Sequence, residues 1–532
     1  MADVDYIVVG SGINALVAAA MLGKKNNRVL VLEREAVAGG CLRTEEVTEP
    51  GFRHDIMATT FVLFITSPAY AALGADLGRH GLAFCHTDAP TAVVLPDNSS
   101  LVLSTDRARN LAAFSAADPA DGPSFQREMD RFGGDMGFVF GLLGGQLWSL
   151  ATLRMAAKEL WKRGARGLAS FAGEALIPAR AYLETRYRSA TVQALFAPWV
   201  LHCGLNPDST YSGQMLKVIG FALEAAGAPI VRGGAVNAVN AFAGLIAEQG
   251  GEIRTNADVA SITLNVNGAA SGVTLADGTV IRASKGVIAS VAPSQLYDRF
   301  LAGQPKPAEV TEGVANFRYG KGDMQIHYAL REPPKWIADG LEKVALIHLT
   351  PGLDGVSRAS NEAERGMLPA VPTICVGQPT ALDPSRAPEG QAILWLQLPE
   401  APRHIKGDAA GEIEIGADGR WTDAIREAYA DRIDAILRQH ISNFDTAVIK
   451  RASYSPADLE AMNCNLVGGD PYSGICSPDQ FFWFRPFAKR DGVGGHKTPY
   501  GNVFHIGAAT HPGPGLGGNS GYQVANRLAK RR

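Results

Sequence analysis

The sequence predicts an α/β protein in which a Rossmann-like sheet is assembled from three separated stretches. An α+β domain with a mixed or antiparallel sheet and a helical cap lies between them. Three stretches carry this prediction. Residues 5–43 read as strand, glycine turn, helix, strand. Residues 232–290 read as glycine pair, helix, glycine pair, strand, hairpin, strand. Residues 502–531 read as strand, glycine-rich turn, closing helix.

The first stretch is the most explicit. Ile7, Val8 and Val9 form a short apolar strand, Gly10-Ser11-Gly12 a turn, and Ile13 to Leu22 an apolar helix. Gly10 permits the tight turn, and Gly12 lets a pyrophosphate approach the backbone. Ile13 and Asn14 open the helix, where free N–H groups and a partial positive charge favour an anion. Ala15, in the third glycine position, is small enough for close packing of helix on strand. The second strand, Val29–Leu32, ends in Glu33, followed by Arg34. A carboxylate about 20 residues past the turn can accept bonds from ribose hydroxyls and disfavours a 2′-phosphate. NAD and FAD both satisfy this.

Composition sets the outer bounds. A chain of 532 residues, 46% hydrophobic and 19% charged, can bury sizeable cores. Fifty basic against 53 acidic residues give a net charge of −3 and no nucleic-acid footprint. Six cysteines without a CxxC read as reduced thiols, so no metal site and no disulfide framework is expected. The first strand begins near residue 5, and no uncharged apolar run reaches about 18 residues. A cytoplasmic protein is expected, with peripheral membrane association left open.

In chain order, Pro68 to Leu77 and 105–131 read as helical, and 91–103 as a hairpin turning at Asp97 to Ser100. Residues 134–172 are apolar and glycine-rich, then amphipathic and basic (Lys158, Lys162, Arg163, Arg166 near Trp148 and Trp161). They read as a helical cap or a membrane-facing segment. Residues 176–226 read as mostly helical. Further on, Phe317-Arg318-Tyr319, Met324–Tyr328 and Ala392–Leu398 read as strands, 351–368 as a polar loop, and Trp421 to His440 as a helix. Asn519-Ser520 is placed to cap the closing helix.

After Glu33 come five residues, then Gly39-Gly40, then Arg43. This E-x5-GG-x2-R pattern resembles the two-dinucleotide-binding-domain flavoproteins, whose glycine pair and arginine run beside the FAD pyrophosphate. Together with the RGG…GG…V block ending at Val259 and the GAATHPGPGLGG run from Gly507, it resembles the phytoene desaturase-like FAD oxidoreductases of the amine oxidase superfamily. The resemblance implies non-covalent FAD. It would be held by Gly10, Gly12, Ile13, Asn14, Ala15, Glu33, Arg34, Gly39, Gly40, Cys41, Arg43, Val259, Gly507, Ala508, Leu516 and Gly517. It further implies a discontinuous FAD domain (1–60, 228–310, 490–532) and a substrate domain (61–227, 311–489). Relatives commonly place a glycine two residues after the Asp55 equivalent; Met57 stands there in this chain.

The implied chemistry is hydride transfer between flavin N5 and a C–C or C–N bond of a mostly apolar small molecule. Oxygen, a quinone or another acceptor would take the electrons. A redox-neutral hydratase or isomerase, or a flavin-bound scaffold, are the alternatives. Candidate helpers are His511 in the closing turn, equally readable as a structural histidine, and His202, which reads more readily as a satisfied core histidine. Met57, Tyr319, His327, Trp483 and Arg485 are candidate pocket residues, Arg485 also being readable as a structural partner of an aromatic. A homodimer is left open.

Overall fold

The computed structural model describes residues 3–147, 149–487 and 496–530. Trp148 and the expected boundary at 490 lie outside them. Two seven-stranded sheets organise the described chain. In the first, Val4–Val9 lies between Val280–Ser290 and Val29–Leu32, parallel to both. Glu252–Arg254 extends one side and Val503–Ile506 pairs parallel to Val280–Ser290. The Val259–Leu264 and Ala270–Leu275 hairpin completes it. The central strands Val4–Val9 and Val29–Leu32 are short and their apolar residues are buried on both faces, as a sheet covered on both sides requires.

The Ile13–Gly23 helix is buried on every side. A helix apolar all round must be enclosed, and the Val236–Glu248 and Asn519–Ala529 helices enclose this one. Closeness to the last is set by Gly521, where a Cβ would stand 1.9 Å from the Asn14 carbonyl oxygen.

The second sheet runs Val448–Tyr454, Gly322–Leu330, Ala392–Ala401, Ile374–Gly377, Leu346–Leu349, Thr91–Val94, Ser100–Leu103. Its one parallel pairing joins Leu346–Leu349 to Thr91–Val94, so the sheet is mixed. Ile326, Leu396, Val376 and Ile347 pack with Tyr429 and Ile433 of the Asp423–Leu437 helix into one core. The other face is taken up below.

Several expectations are corrected. Residues 351–368 hold a helix, Leu353–Glu364, because Leu353, Val356, Ser360 and Ala363 place a buried stripe at helical spacing within a polar sequence. Phe317-Arg318-Tyr319 is not a strand: its backbone is tied to the 470–480 loop, with Gly320 N–H on Asp470 and Ile475 N–H on the Arg318 carbonyl. Asn519-Ser520 does not cap the closing helix. Gly518, at φ 67°, occupies that position, and Ser520 Oγ instead accepts from Gly507 N–H.

The 134–172 stretch forms most of two helices, Asp121–Gly144 and Leu150–Ala175. Gly164 interrupts the second with a left-handed φ of 67°. The joining loop touches the closing helix, where Gln523 donates to the Gly144 carbonyl and His511 Nε2 lies 2.9 Å from the Gly145 carbonyl oxygen. Among the described residues no helix is long and apolar enough to cross a membrane. All six cysteines are free.

Candidate functional site

At the dinucleotide end, the helix opening at Ile13 has Gly12 as its cap and no side-chain cap bond. A Cβ on Gly12 would meet nothing within 4 Å. The closing helix is likewise uncapped, and a Cβ on its Gly518 would stand 2.7 Å from Val17 and 3.7 Å from Ile13. Two helix starts without a side-chain bond from their cap residues therefore converge, with Gly521 N–H turning to Asn14 Oδ1 at 3.4 Å. Gly40 folds back onto Gly12, its added Cβ being 3.3 Å from the Gly12 Cα.

Glu33 is buried and held by Ser11. Ser11 N–H and Oγ both donate to Oε2, at 3.1 and 2.6 Å, and Glu35 N–H donates to Oε1 at 2.9 Å. Ser11 Oγ in turn accepts from Gly39 N–H at 2.8 Å, so one hydroxyl joins the turn, the acid and the glycine pair. Arg43 turns to Glu45, its Nε at 2.7 Å. Arg34 pairs with Glu35 at 3.0 Å. Val259 is buried at the start of its strand.

Between the sheets, Asp55 gathers the seam. It accepts from Thr44 and Thr59 hydroxyls, Ala235 N–H and Arg386 Nη2. Arg386 is completely buried and also reaches Asp383 at 3.1 Å. Asp55 thus ties the Ala235 backbone to side chains from three other segments.

The second sheet turns a polar face to this seam. Directly opposed residues share a face, and the register aligns Tyr454, Gln325, Gln397, Cys375 and His348 across five strands. His327 and Trp395 pair in the neighbouring row. Buried polar atoms without a partner gather here: Asp323 Oδ1, Gln325 Oε1, both His327 nitrogens, His348 Nδ1, and the Trp199 and Trp395 indole nitrogens. Buried polar groups are ordinarily satisfied, so this face is shaped to meet something besides protein. Burial pushes Asp323 up to about 7, against the lowering pull of Gln325 and Gln397. Burial also lowers His327 to about 4 and His202 to about 4.

His202 stands beside this face, Nε2 to Nε2 with His348 at 2.9 Å. With Cys375 these side chains bring three ligand atoms within 4.8 Å of one another, a donor set able to hold a metal ion. His511 spends Nε2 on the Gly145 carbonyl and is lowered by burial to about 3, so it acts first as a structural tie.

Of the two readings of Arg485, pocket residue and structural partner of an aromatic, the contacts fit the second. Arg485 is buried, and its nitrogens donate to the carbonyls of Ala508, Ile475, Gln480, Tyr472, Ser473 and Gly474. No donor direction remains for a ligand, and its aromatic partner is Phe481 rather than Trp483. Trp483 is 41% exposed and does not line a buried pocket. Tyr319 turns to Ser294, its hydroxyl at 3.1 Å, away from the polar face. Met57 packs with Ile56, Leu459 and Leu466.

Comparison with known proteins agrees with this architecture. Residues 8–75 match the NAD(P)-binding Rossmann-like domain family. A mouse protein named pyridine nucleotide-disulfide oxidoreductase domain-containing protein 2 is 26% identical, over 98% of this chain and 93% of its own. The neurosporene-forming phytoene desaturase of Rhodobacter capsulatus is 22% identical over 96% of this chain and 90% of its own. A putrescine oxidase triple mutant shares the fold, with a TM-score of 0.60, 16% identity and 99% coverage of both chains. The chain is an FAD-dependent oxidoreductase, similar over nearly its whole length to phytoene desaturases.

FAD fits the residues of this desaturase-like flavoprotein. The open space over Gly12 and the two uncapped helix starts suit a doubly charged pyrophosphate. Glu33 keeps lone pairs beyond those used by Ser11 and Glu35. Sequence reasoning missed Ser11 as the link and Asp323, Gln325 and Gln397 as a polar cluster. The period-2 polar run Asp323, Gln325, His327 was the available signal for the cluster.

Proposed function

We propose that this flavoprotein is a dehydrogenase or desaturase that oxidises a C–C or C–N bond of a mostly apolar small molecule by taking hydride from one of its C–H bonds. Bound FAD supplies the two-electron acceptor, and oxygen, a quinone or another acceptor re-oxidises it. The observation that carries the reading is the buried, incompletely satisfied face of the second sheet, beside the apolar cluster of Ile56, Met57, Leu459 and Leu466 against which Cys41 and Tyr454 pack. The chain's own part is to hold the adenosine end through Ser11 and Glu33, to exclude water, and to orient the reacting bond over that face. We read the first sheet with its helices as the FAD domain and the second as the substrate domain, in support of the three-segment division. Anaerobic mixing of the purified yellow protein with panels of alkenes, amines and alcohols tests the function. The expected result is bleaching of the flavin band by one class. A protein that binds FAD but is bleached by none overturns it.

Peripheral membrane contact is part of the same proposal. The Leu150–Ala175 helix leaves Trp161 90%, Leu150 72% and Leu153 66% exposed. Beside them Arg154, Lys158, Lys162 and Arg166 recur at every fourth residue, all exposed. An apolar ridge flanked by a basic one suits an anionic bilayer surface. Co-sedimentation with anionic but not zwitterionic vesicles, reduced in Trp161→Ala, is expected. Equal recovery with both vesicle types would count against it.

A further inference from the structure

Among the described residues, one buried carboxylate oxygen has no partner, Oδ1 of Asp323. The other buried carboxyls with raised affinity for a proton are fully engaged. Glu400 accepts from Ser360 Oγ on one oxygen and Thr373 N–H on the other. Asp470 accepts from Tyr472 N–H on Oδ1 and from Gly320 and Gly474 N–H on Oδ2. Asp323 differs in kind. Gln325 Nε2 at 2.7 Å and Gln397 Nε2 at 3.1 Å both donate to Oδ2 and pin it. The carboxyl is thus oriented with one oxygen fixed and the other free.

Its surroundings place it at the seam. Burial above all, and the charge of Asp323 to a smaller degree, raise the proton affinity of Cys41, next to Gly40 of the pyrophosphate turn, of Cys375 on the polar face, and of Tyr472 in the loop gripped by Arg485. Gln325 and Gln397, which hold Asp323, are opposed across the polar face, and His327 of the same strand meets His54 and Tyr454 edge-on at the seam. We propose that Asp323 is a catalytic carboxylate: its Oδ1 takes the proton that the substrate gives up when the neighbouring C–H bond loses its hydride. The inference rests on the hydride-transfer reading above. A C–H or N–H bond breaks toward Oδ1, an O–H bond forms there, and the electron pair left behind becomes the new double bond. The hydride and its two electrons go to the bound flavin, so charge and electrons balance. The product state, a neutral carboxyl in a dry site, relieves the desolvation that the carboxylate suffers.

A base must be ionised before it acts, and a proton affinity raised to about 7 leaves both forms available near neutral pH. The titratable groups that face it do not compete there. Burial pushes Cys41 up to about 11, raises Cys375 further, and holds Tyr472 well above the usual phenol range. On its own strand His327 is lowered to about 4.

The test compares the FAD-loaded wild type with Asp323→Asn, which keeps the shape. The oxidised flavin spectrum is followed from about pH 5.5 to 8.5, a span that brackets the raised carboxyl. The wild type is expected to show a spectral transition centred near 7 that Asp323→Asn lacks at equal FAD content, while Asp323→Glu restores it. With any substrate that bleaches the flavin, Asp323→Asn is expected to slow reduction by about 10²–10⁴-fold. A wild type with no transition, or a variant that titrates like it, overturns the role of Asp323 and leaves the dehydrogenase reading standing. Preparations without flavin overturn both.

Discussion

In the sheet that contains Val4–Val9, Val8, Val31 and Ile288 face one core while Ile7, Leu30 and Val287 face another. In the sheet that contains Gly322–Leu330, Ile326, Leu396 and Val376 face a core, but Gln325, Gln397, Cys375 and His348 face the seam. The first sheet is a scaffold whose ligand meets only its edges, at the turns where strands give way to helices. The second offers a whole face. Its unpartnered buried atoms are tolerated because that face is not there to stabilise the protein. Stability and function are thus distributed unequally between the sheets, and substitutions should separate them.

The largest effect is expected where the sheets meet. Arg386→Met leaves Asp55 and Asp383 buried without their cation, which costs about 3–5 kcal/mol in a chemical denaturation midpoint experiment. A loss below 1 kcal/mol would mean that the seam is not a structural joint. Next comes acid. His327 is lowered to about 4 by burial, so its contribution to stability is complete above its ordinary value and is lost as pH falls from about 6.5 towards 4. His327→Leu should therefore lose less stability between pH 7 and 4 than the wild type, by about 3 kcal/mol, in denaturant melts at both values.

A smaller effect is expected at the dinucleotide end. Ser11→Ala removes the donor to Glu33 and the acceptor of Gly39 N–H, and should weaken FAD binding about 10- to 30-fold, read from flavin release on dilution. The smallest effect is again on the polar face. At pH 7 His327→Leu should stay within about 1 kcal/mol of the wild type, since neither ring nitrogen loses a partner. A cost above about 3 kcal/mol would show that this face supports the fold like the first sheet.

The same contrast explains what could be read from sequence. The first sheet announces itself through local chemistry: Gly10, Gly12 and Glu33 each answer to a short-range requirement. The hairpin at Asp97 to Ser100 and the Asp423–Leu437 helix were legible for the same reason. The Leu353–Glu364 helix was hidden because its buried stripe uses Ser360 and Ala363 rather than large apolar residues. Arg485 was legible as a structural partner of an aromatic, but the six carbonyls that hold it come from loop folding and could not be read from its neighbours in sequence. Asp323, Gln325 and Gln397 meet only through strand register, which no single stretch encodes.

The contact of Gly521 with Asn14, reinforced by the Ser520 hydroxyl on Asn14 Oδ1, joins positions some 500 residues apart. During synthesis at about 5–20 residues per second, the first helix waits roughly half a minute to well over a minute for the helix that covers it. Until then the βαβ unit at the start of the chain carries a bare apolar flank and an unfinished nucleotide cradle. Cofactor capture is thereby made a late event of biogenesis, and a chain stalled before residue 519 would be a client for chaperones rather than a half-active enzyme.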